Sequence, residues 1–333
     1  MNGFRNFAAV GGLTLALCTG SACSEGSEVR PEARYDLVTL GTSGGPVPSP
    51  VRSQPASALV RGQSVFLLDI GDGTSGQLAK IGLRTEHVEA IFISHLHYDH
   101  TGGLAALMGL RFQTDAQNEM VVYGPPGTQA LVNGILASMA PGVESGYAVP
   151  GARQPTHPSE QVRVVELAHA GSFEVADFAV TTAENTHYSF MPGTPQADMF
   201  KSYAFRFDLP QRSIVYTGDT GPSEAVEVLA EGADILLAEM MDIDWTVETM
   251  AEVNRHRAQP LPAPVMEGME QHLRAHHITA EQVGEMAANA GVDRVIVTHF
   301  VGRGDEVGLA AYVSSIAERF SGDAVIASDM DTF

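Results

Sequence analysis

A run of ligand-type side chains constrains this chain most: Ser94-His95-Leu96-His97-Tyr98-Asp99-His100-Thr101-Gly102-Gly103. It follows an apolar segment, Ala90-Ile91-Phe92-Ile93, which predicts a buried strand. The two glycines are followed by Leu104-Ala105-Ala106-Leu107, which predicts the start of a helix. The histidines and the aspartate therefore lie in a strand-to-helix loop, where a rigid scaffold can direct them to one point. Because imidazole nitrogens and carboxylate oxygens are good zinc ligands, this loop predicts a metal site rather than a polar surface loop.

The charge balance restricts the partners that we expect. The chain has 333 residues with 19 Lys and Arg against 40 Asp and Glu, and its formal net charge is −21. Affinity for nucleic acids comes largely from Lys and Arg side chains that neutralise phosphates, and no run of them forms a basic stripe here. We therefore expect no nucleic-acid partner. A small anion that is held by bound metals remains compatible with this charge.

The N-terminus resembles an export signal. Arg5 supplies a positive region, and residues 7–18 form an apolar segment that is too short to span a bilayer as a helix. Residues 1–23 are therefore predicted to be a signal peptide, with lipidation of Cys23 or ordinary cleavage near Ala22 as the two main alternatives and a retained membrane anchor as the third. Residues 24–34 are predicted to be a flexible tether. We expect a periplasmic or secreted protein whose only membrane contact would be a lipid anchor at Cys23, if that residue is lipidated.

The cysteines limit the metal ligands. Both of them, Cys18 and Cys23, lie in the N-terminal segment. The rest of the chain can therefore form neither a disulfide nor a zinc site with cysteine ligands. Any metal in the folded part has to be held by His, Asp or Glu.

Residues 35–333 are predicted to form the folded part. Short strands come first in hairpins and then alternate with helices in both halves of this segment. The economical architecture is of class α/β, with two β-sheets packed face to face and helices outside, a four-layer αββα sandwich in one domain. Residues 240–275 are an insertion with five methionines, Trp245 and a Pro-rich centre. Two alternatives are open for it: a substrate-selecting wall over the metals, or a helix and loop that cover a sheet edge.

Polar side chains also follow other predicted strands. His187, Asp219 and His299 each come at the end of an apolar strand, as the run from His95 to His100 does. One histidine in this setting is weak evidence, because it is more often a hydrogen-bonded structural residue than a ligand. Strand ends at one edge of a sheet converge in space, however, and we therefore expect these side chains to meet.

The order His-x-His-x-Asp-His, His, Gly-Asp-Thr and Thr-His resembles the metallo-β-lactamase-fold hydrolases over residues 35–333. The resemblance implies a dinuclear zinc centre with two Zn²⁺ per chain. The first metal would be held by His95, His97 and His187, the second by Asp99, His100 and His299, and Asp219 would bridge both. Two such cations can share a hydroxide, lower its pKa and stabilise an anionic transition state. Because the donors are nitrogen and oxygen without sulfur, Mn²⁺ or Fe could replace zinc.

Within this superfamily the nearest likeness is the branch that contains RNase Z, the tRNA 3′-processing endonuclease, and the bacterial arylsulfatases of this fold. The motifs that carry it are Tyr123-Gly124-Pro125, Gly218-Asp219-Thr220 and His277-Ile278-Thr279-Ala280-Glu281-Gln282. The resemblance implies that His277 acts as an acid or electrostatic stabiliser on the leaving-group oxygen. Glu239 would orient this imidazole, as a carboxylate commonly does. Asp99 completes the predicted catalytic residues.

Two departures from the RNase Z pattern bear on the substrate. Only residues 209–212 join the two strands between which that endonuclease carries its tRNA-gripping arm, and Ala238-Glu239 stands where the branch usually has His-Glu. Together with the acidic composition and the export signal, these departures favour a small extracytoplasmic substrate.

We therefore expect a secreted or periplasmic dinuclear-zinc hydrolase of a small phosphodiester or aryl sulfate ester, with a metal-bridging hydroxide as the nucleophile. One alternative is a lactonase or a β-lactam-type carbonyl hydrolase. Another is a metal-binding scaffold without turnover, which the presence of every predicted ligand disfavours. The expected partner is a small anionic or ester molecule, and a homodimer is left open.

Overall fold

Two mixed β-sheets lie face to face in the computed structural model, which describes residues 34–168 and 170–333. The strands of the six-stranded sheet are β1 Asp36–Gly41, β2 Ala56–Arg61, β3 Ser64–Leu68, β4 Val88–Phe92, β5 Met120–Gly124 and β6 Val162–Glu166. Those of the seven-stranded sheet are β7 Ser172–Val175, β8 Phe178–Glu184, β9 Tyr203–Leu209, β10 Arg212–Tyr216, β11 Ile235–Met241, β12 Arg294–Val301 and β13 Asp323–Ile326. The predicted signal peptide, the lipidation of Cys23 and nearly all of the predicted tether lie outside the described residues.

The described residues also form helices, which lie on the outer faces of the two sheets or in the connections between strands. They are α1 Thr74–Lys80, α2 Tyr98–Thr101, α3 Leu104–Gln113, α4 Thr128–Ser145, α5 Pro195–Met199, α6 Glu224–Ala230, α7 Ile243–Arg255, α8 Ala263–His276, α9 Ala280–Ala290 and α10 Glu306–Ala317. Short 3-10 turns lie at Thr85–His87 and Pro158–Glu160. None of the helices in the described part of the chain has both the length and the apolar character that a membrane crossing requires.

Each sheet combines hairpins with parallel crossovers. In the first sheet β1, β2 and β3 pair antiparallel, and β3 to β6 pair parallel in sequence order. In the second sheet β7 to β10 pair antiparallel, and β10 to β13 pair parallel in the same way. Parallel neighbours need a crossover connection, which explains why the helices follow the hairpins in both halves of the chain.

Three apolar layers hold this architecture together. Between the sheets, Phe66 of β3 meets Phe178 of β8 with ring centroids 5.2 Å apart. A second layer packs helices α1, α3 and α4 against the outer face of the first sheet, and a third packs α6, α9 and α10 against the outer face of the second. The order helix, sheet, sheet, helix confirms the predicted four-layer αββα sandwich.

Local signals explain the ends of several elements. Thr279 caps α9 by accepting a hydrogen bond from the backbone N–H of Gln282, and Gly291 ends that helix in the left-handed conformation. Helix α4 passes Pro141 and ends at Ser145. A break after Val175 separates β7 from β8.

The insertion 240–275 is helical in the structure. It begins with the last two residues of β11 and then forms α7 and α8, which the Pro-rich segment separates. Asp242 caps α7 by accepting a hydrogen bond from the backbone N–H of Trp245 at 3.1 Å. The side chain of Tyr312 in α10 donates to the same carboxylate at 2.6 Å. This capping residue therefore fastens the insertion to the second sheet's helices.

The C-terminal segment fastens the loop that runs past the site. The carboxylate of Asp329 accepts from the backbone N–H and hydroxyl of Thr42, at 2.9 and 2.7 Å, and from the backbone N–H of Ser53 at 2.7 Å. The Gln77 amide donates to it as well, at 2.9 Å. Thr42 in turn accepts from the backbone N–H of Phe300 at 2.8 Å, directly after His299.

We predict that Asp329→Ala lowers the free energy of unfolding by about 3 kcal/mol, because it leaves several donors without an acceptor. The matched control is Asp323→Ala in the same C-terminal segment, where the carboxylate forms an exposed pair with Arg294 at 2.8 Å. Removal of that pair should cost less than about 1 kcal/mol. Urea denaturation measures both values. Equal losses in the two variants would contradict the fastening role of Asp329.

Candidate metal centre

The carboxyl ends of β4, β8, β10 and β12 meet at one edge of the two sheets, and the predicted ligands lie there together. One group consists of His95, His97 and His187, and a second of Asp99, His100, Asp219 and His299. Within each group the nitrogen or oxygen atoms on offer lie within 4.8 Å of one another. The structure thus brings together all the side chains that were predicted as ligands.

The geometry of β12 explains why His299 faces this edge. The pairing of β11 with β12 shifts between Ala238 and Met240, so that Thr298 and His299 oppose the single residue Glu239. Such a bulge bends the strand and redirects a side chain, and bulges are common beside active sites. His299 adopts a φ of 39°, which is unusual for a residue with a Cβ.

The turn before Asp219 requires a glycine. Gly218 has a φ of 57°, and a Cβ at this position would lie 2.8 Å from the Cβ of Ser94. The end of β10 can therefore approach the loop after β4 closely. This close approach carries Asp219 between the two ligand groups.

In the first group three ring nitrogens face one point. His97 Nδ1 lies 2.9 Å from His95 Nε2 and 3.2 Å from His187 Nε2. The other ring nitrogens of His95 and His187 also have partners. His187 Nδ1 donates to the backbone carbonyl of His276 at 3.2 Å, and His95 Nδ1 lies 3.0 Å from the Ser94 hydroxyl. These outer contacts fix the ring orientations, as they do for histidines that bind metals.

In the second group Asp219 lies close to histidine rings of both groups. Its Oδ1 lies 3.2 Å from His100 Nε2 and 3.1 Å from His299 Nε2, and its Oδ2 lies 3.9 Å from His95 Nε2 in the first group. Asp99 Oδ2 lies 3.6 Å from His100 Nε2 and 3.7 Å from His299 Nε2. Asp219 is therefore placed to contact ions in both groups.

Asp69 is a functional residue to which sequence reasoning assigned no role. This fully buried carboxylate accepts from the backbone N–H and the hydroxyl of Ser94, both at 2.7 Å, and from the Tyr216 hydroxyl at 2.6 Å. His100 Nδ1 donates to it at 2.7 Å, which leaves Nε2 for the site. The signal available in the sequence was an acidic residue directly after an apolar strand and before Ile70-Gly71.

The first group suits a metal ion. Burial disfavours the charged form of the ring, and it lowers the pKa of His187 to about 3. Burial, followed by the neighbouring His100 and His187, also holds the pKa of His95 well below its ordinary value. Both rings are therefore neutral at pH 7, and a histidine has to be neutral to bind a metal.

The second group favours positive charge. Burial opposes ionisation of Asp99, yet the nearby His299 and His100 rings lower the pKa of its carboxyl to about 2. Although burial opposes a charged ring, Asp219 and Asp69 hold the pKa of His100 well above its ordinary value. His100 Nε2 and Asp219 Oδ1 are buried without a hydrogen-bond partner among the described residues. Two carboxylates and buried ligand atoms without hydrogen-bond partners are features that a bound cation satisfies.

His277 and Glu239 form a buried pair beside the ligands. His277 Nδ1 lies 2.9 Å from Glu239 Oε2, while Glu239 Oε1 accepts from the backbone N–H of Thr220 at 2.5 Å. Burial disfavours the charged ring, but the Glu239 carboxylate outweighs it and raises the pKa of His277 to about 9. His277 also offers a nitrogen within 4.8 Å of donor atoms of His187 and Asp219. The pair therefore holds a proton at the edge of the centre.

The insertion lines a cavity next to this centre. The cavity has a volume of about 490 Å³ and is mainly apolar, with Trp245 and Met269 of the insertion on one side and Val51 on the other. Gly44 lines it as well, and a Cβ on that residue would lie 2.8 Å from His299 Nδ1. Three of the five methionines of the insertion, Met250, Met266 and Met269, thus line a cavity beside the second ligand group.

Comparison with known proteins gives the family context. The model of the Beta-lactamase superfamily domain matches residues 66–300. Ribonuclease Z of Mycobacterium avium is 27% identical over 267 residues, which are 79% of this chain and 85% of that protein. Ribonuclease Z of Mycobacterium bovis is 26% identical over 301 residues, 89% of this chain and 96% of the relative.

Solved structures share the fold. The metallo-beta-lactamase fold protein YhfI from Bacillus subtilis has a TM-score of 0.62 and 18% identity, covering 90% of this chain and 98% of that one. The short form of human tRNase Z has a TM-score of 0.59 and 22% identity, with 90% and 98% of the two chains covered.

The comparison with these relatives shows that two expectations from the sequence are wrong. The curated relatives are named Ribonuclease Z, which conflicts with a hydrolase of a small phosphodiester or aryl sulfate ester and with the absence of a nucleic-acid partner. The periplasmic or secreted location stays a prediction. The error has a physical cause. A net charge of −21 is a sum over the whole chain, whereas the potential at a metal centre is set by the nearest charges, including the ions themselves.

We predict that Asp69→Asn lowers zinc affinity about 10- to 100-fold, because an amide cannot accept all four hydrogen bonds and no longer fixes the His100 tautomer. Competition with a chromophoric chelator measures the affinity, and circular dichroism verifies folding. The matched control is Asp72→Asn, an exposed aspartate in the same turn, which should bind zinc as the unmodified protein does. Equal affinities of the two variants would disprove the orienting role of Asp69.

Proposed function

Because this chain belongs to the β-lactamase superfamily, on its RNase Z-like branch, we propose that it is a metal-dependent phosphodiesterase that hydrolyses RNA. One observation carries the proposal. The paired ligand groups lie directly against the buried pair of His277 and Glu239, so that the groups for charge neutralisation and for proton donation share one site. The ribonuclease relatives support RNA as the substrate class.

The proposed cofactor is Zn²⁺, one ion for each ligand group, with Asp219 between them. The donor set of nitrogen and oxygen fits zinc and also leaves Mn²⁺ and Fe open. When bound, the metals would lower the pKa of a water and neutralise the charge of a phosphodiester. Only Asp99 and Asp219 contribute negative charge to the ligand groups, so two divalent ions leave the loaded site positive. An acidic chain can thus attract a phosphate at this point.

His277 is the proposed proton donor. Glu239 holds its Nδ1, and the raised pKa of about 9 keeps the ring protonated at neutral pH. The donor atoms of His187 and Asp219 lie within 4.8 Å, which brings the ring against a substrate phosphate at the ligand groups. Proton transfer from His277 to the departing ribose oxygen would then assist cleavage of the P–O bond.

Contacts to RNA have to come from surfaces near the site itself. In this chain β9 and β10 are joined by a tight turn, Leu209 pairing with Arg212, so no long segment projects from that position. The loops around the ligand groups are therefore the surfaces that would meet an RNA chain.

We predict that Asp219→Ala removes metal and activity together, whereas His277→Ala retains metal and loses activity about 10²- to 10⁴-fold. Asp219 contacts both ligand groups, while the proposed role of His277 requires only its proton. The measurements are zinc content of the purified variants and cleavage of a labelled single-stranded RNA, whose departing ribose oxygen needs a proton. Unchanged activity in His277→Ala would exclude His277 as the proton donor.

The function itself is tested with RNA. The zinc-loaded protein should cleave a labelled transfer-RNA precursor or its single-stranded 3′ trailer, and Asp219→Ala should not. A p-nitrophenyl carboxylic ester serves as the comparison substrate. Cleavage of this ester without cleavage of either RNA would contradict the proposed function.

A further inference from the structure

Aromatic side chains form a row that leads away from the metal centre, in the loop between β8 and β9. The ring of Tyr188 lies 5.6 Å from that of His97, measured between centroids. Phe190 follows 5.7 Å from Tyr188, and Phe200 follows 5.4 Å from Phe190. The row, Tyr188-Phe190-Phe200, therefore begins in contact with the first ligand group and ends outside it. We call it the aromatic row.

The outer part of this row faces solvent. Phe190 is 41% exposed and Phe200 is 45% exposed, although phenylalanine is among the residues most often fully buried. Met191 and Met199 beside them are 74% and 55% exposed. Clustered apolar exposure of this kind marks a binding surface more often than isolated exposed residues do.

Hydrogen bonds hold the loop in this arrangement. His276 Nδ1 donates to the backbone carbonyl of Thr186 at 2.8 Å, and its Nε2 lies 3.1 Å from the Ser189 hydroxyl. Further along, the Thr194 hydroxyl donates to the backbone carbonyl of Met191 at 2.7 Å. The loop is thus connected to α8 on one side of Phe190 and closed on itself on the other, so the aromatic row is formed before any ligand arrives.

We propose that Phe190 and Phe200 form a stacking platform for nucleobases of the RNA next to the cleaved phosphodiester, an inference that rests on the proposed function. Bases in single strands stack on aromatic side chains, and every base has a π-face that suits this contact. The row is continuous with the site, because Tyr188 lies against both His97 and Phe190, so that a nucleoside whose phosphate is bound at the first ligand group can reach it. The platform supplies contacts in a chain that has no long projecting segment between β9 and β10.

The test compares adenosine 5′-monophosphate with ribose 5-phosphate, which carries the same phosphate and sugar without a base. Neither is a phosphodiester, so isothermal titration calorimetry on the zinc-loaded protein measures binding without turnover. We expect the nucleotide to bind about tenfold more tightly, as one stacked base allows. In Phe190→Ala this preference should disappear while the affinity for ribose 5-phosphate stays the same. Phe190→Trp should retain the preference, and so should the control Val228→Ala, which alters an exposed apolar residue of α6 outside the aromatic row.

Three results would overturn the proposal. The first is equal affinity of the unmodified protein for the two ligands. The second is a Phe190→Ala variant that keeps the preference or weakens both ligands alike. The third is a change from dimer to monomer in Phe190→Ala by size-exclusion chromatography, because the surface would then be occupied by a second copy. Failure of RNA hydrolysis with the base preference intact would reject the proposed function and leave the stacking platform in place.

Discussion

Asp69, whose carboxylate is fully buried, connects the parts of this site. A charge can be buried only if its oxygens are fully hydrogen-bonded, and here the donors come from the turn after β4, from Tyr216 in the opposite sheet and from His100 among the ligands. The two sheets and the ligand loop are therefore joined at one point. The convergence of the strand ends depends on this interaction, and so does the orientation of the His100 ring.

The ligand groups are poorly suited to a folded state without cations. Asp99 and Asp219 lie among histidine rings whose protonation they favour, and donor atoms of His100 and Asp219 have no partner among the described residues. A bound cation satisfies both requirements at once. Because an ion that binds only the folded chain stabilises it by mass action, folding and metal loading are expected to be coupled in this protein.

The proposed function depends on the groups at the metal centre and not on average properties of the chain such as its net charge. Net charge predicted the wrong partner class, because the acidic side chains are counted wherever they lie, while a phosphate at the proposed centre would respond to bound ions and to His277. The aromatic row likewise depends on local structure and not on a pattern in the sequence. Phe190 and Phe200 are ten positions apart in the sequence and show no periodic pattern, yet the loop places their rings together beside the ligands.

The sequence by itself determined the sandwich and the ligands. Apolar strands ending in polar residues predicted where His95, His187 and Asp219 would lie, because strand ends at one edge converge whatever the loops do. Only the tertiary structure decided the rest. The bulge that turns His299 inward arises from the pairing of β11 with β12, and the role of Asp69 arises from donors on both sheets. Both depend on contacts between segments far apart in the chain, which no local pattern encodes.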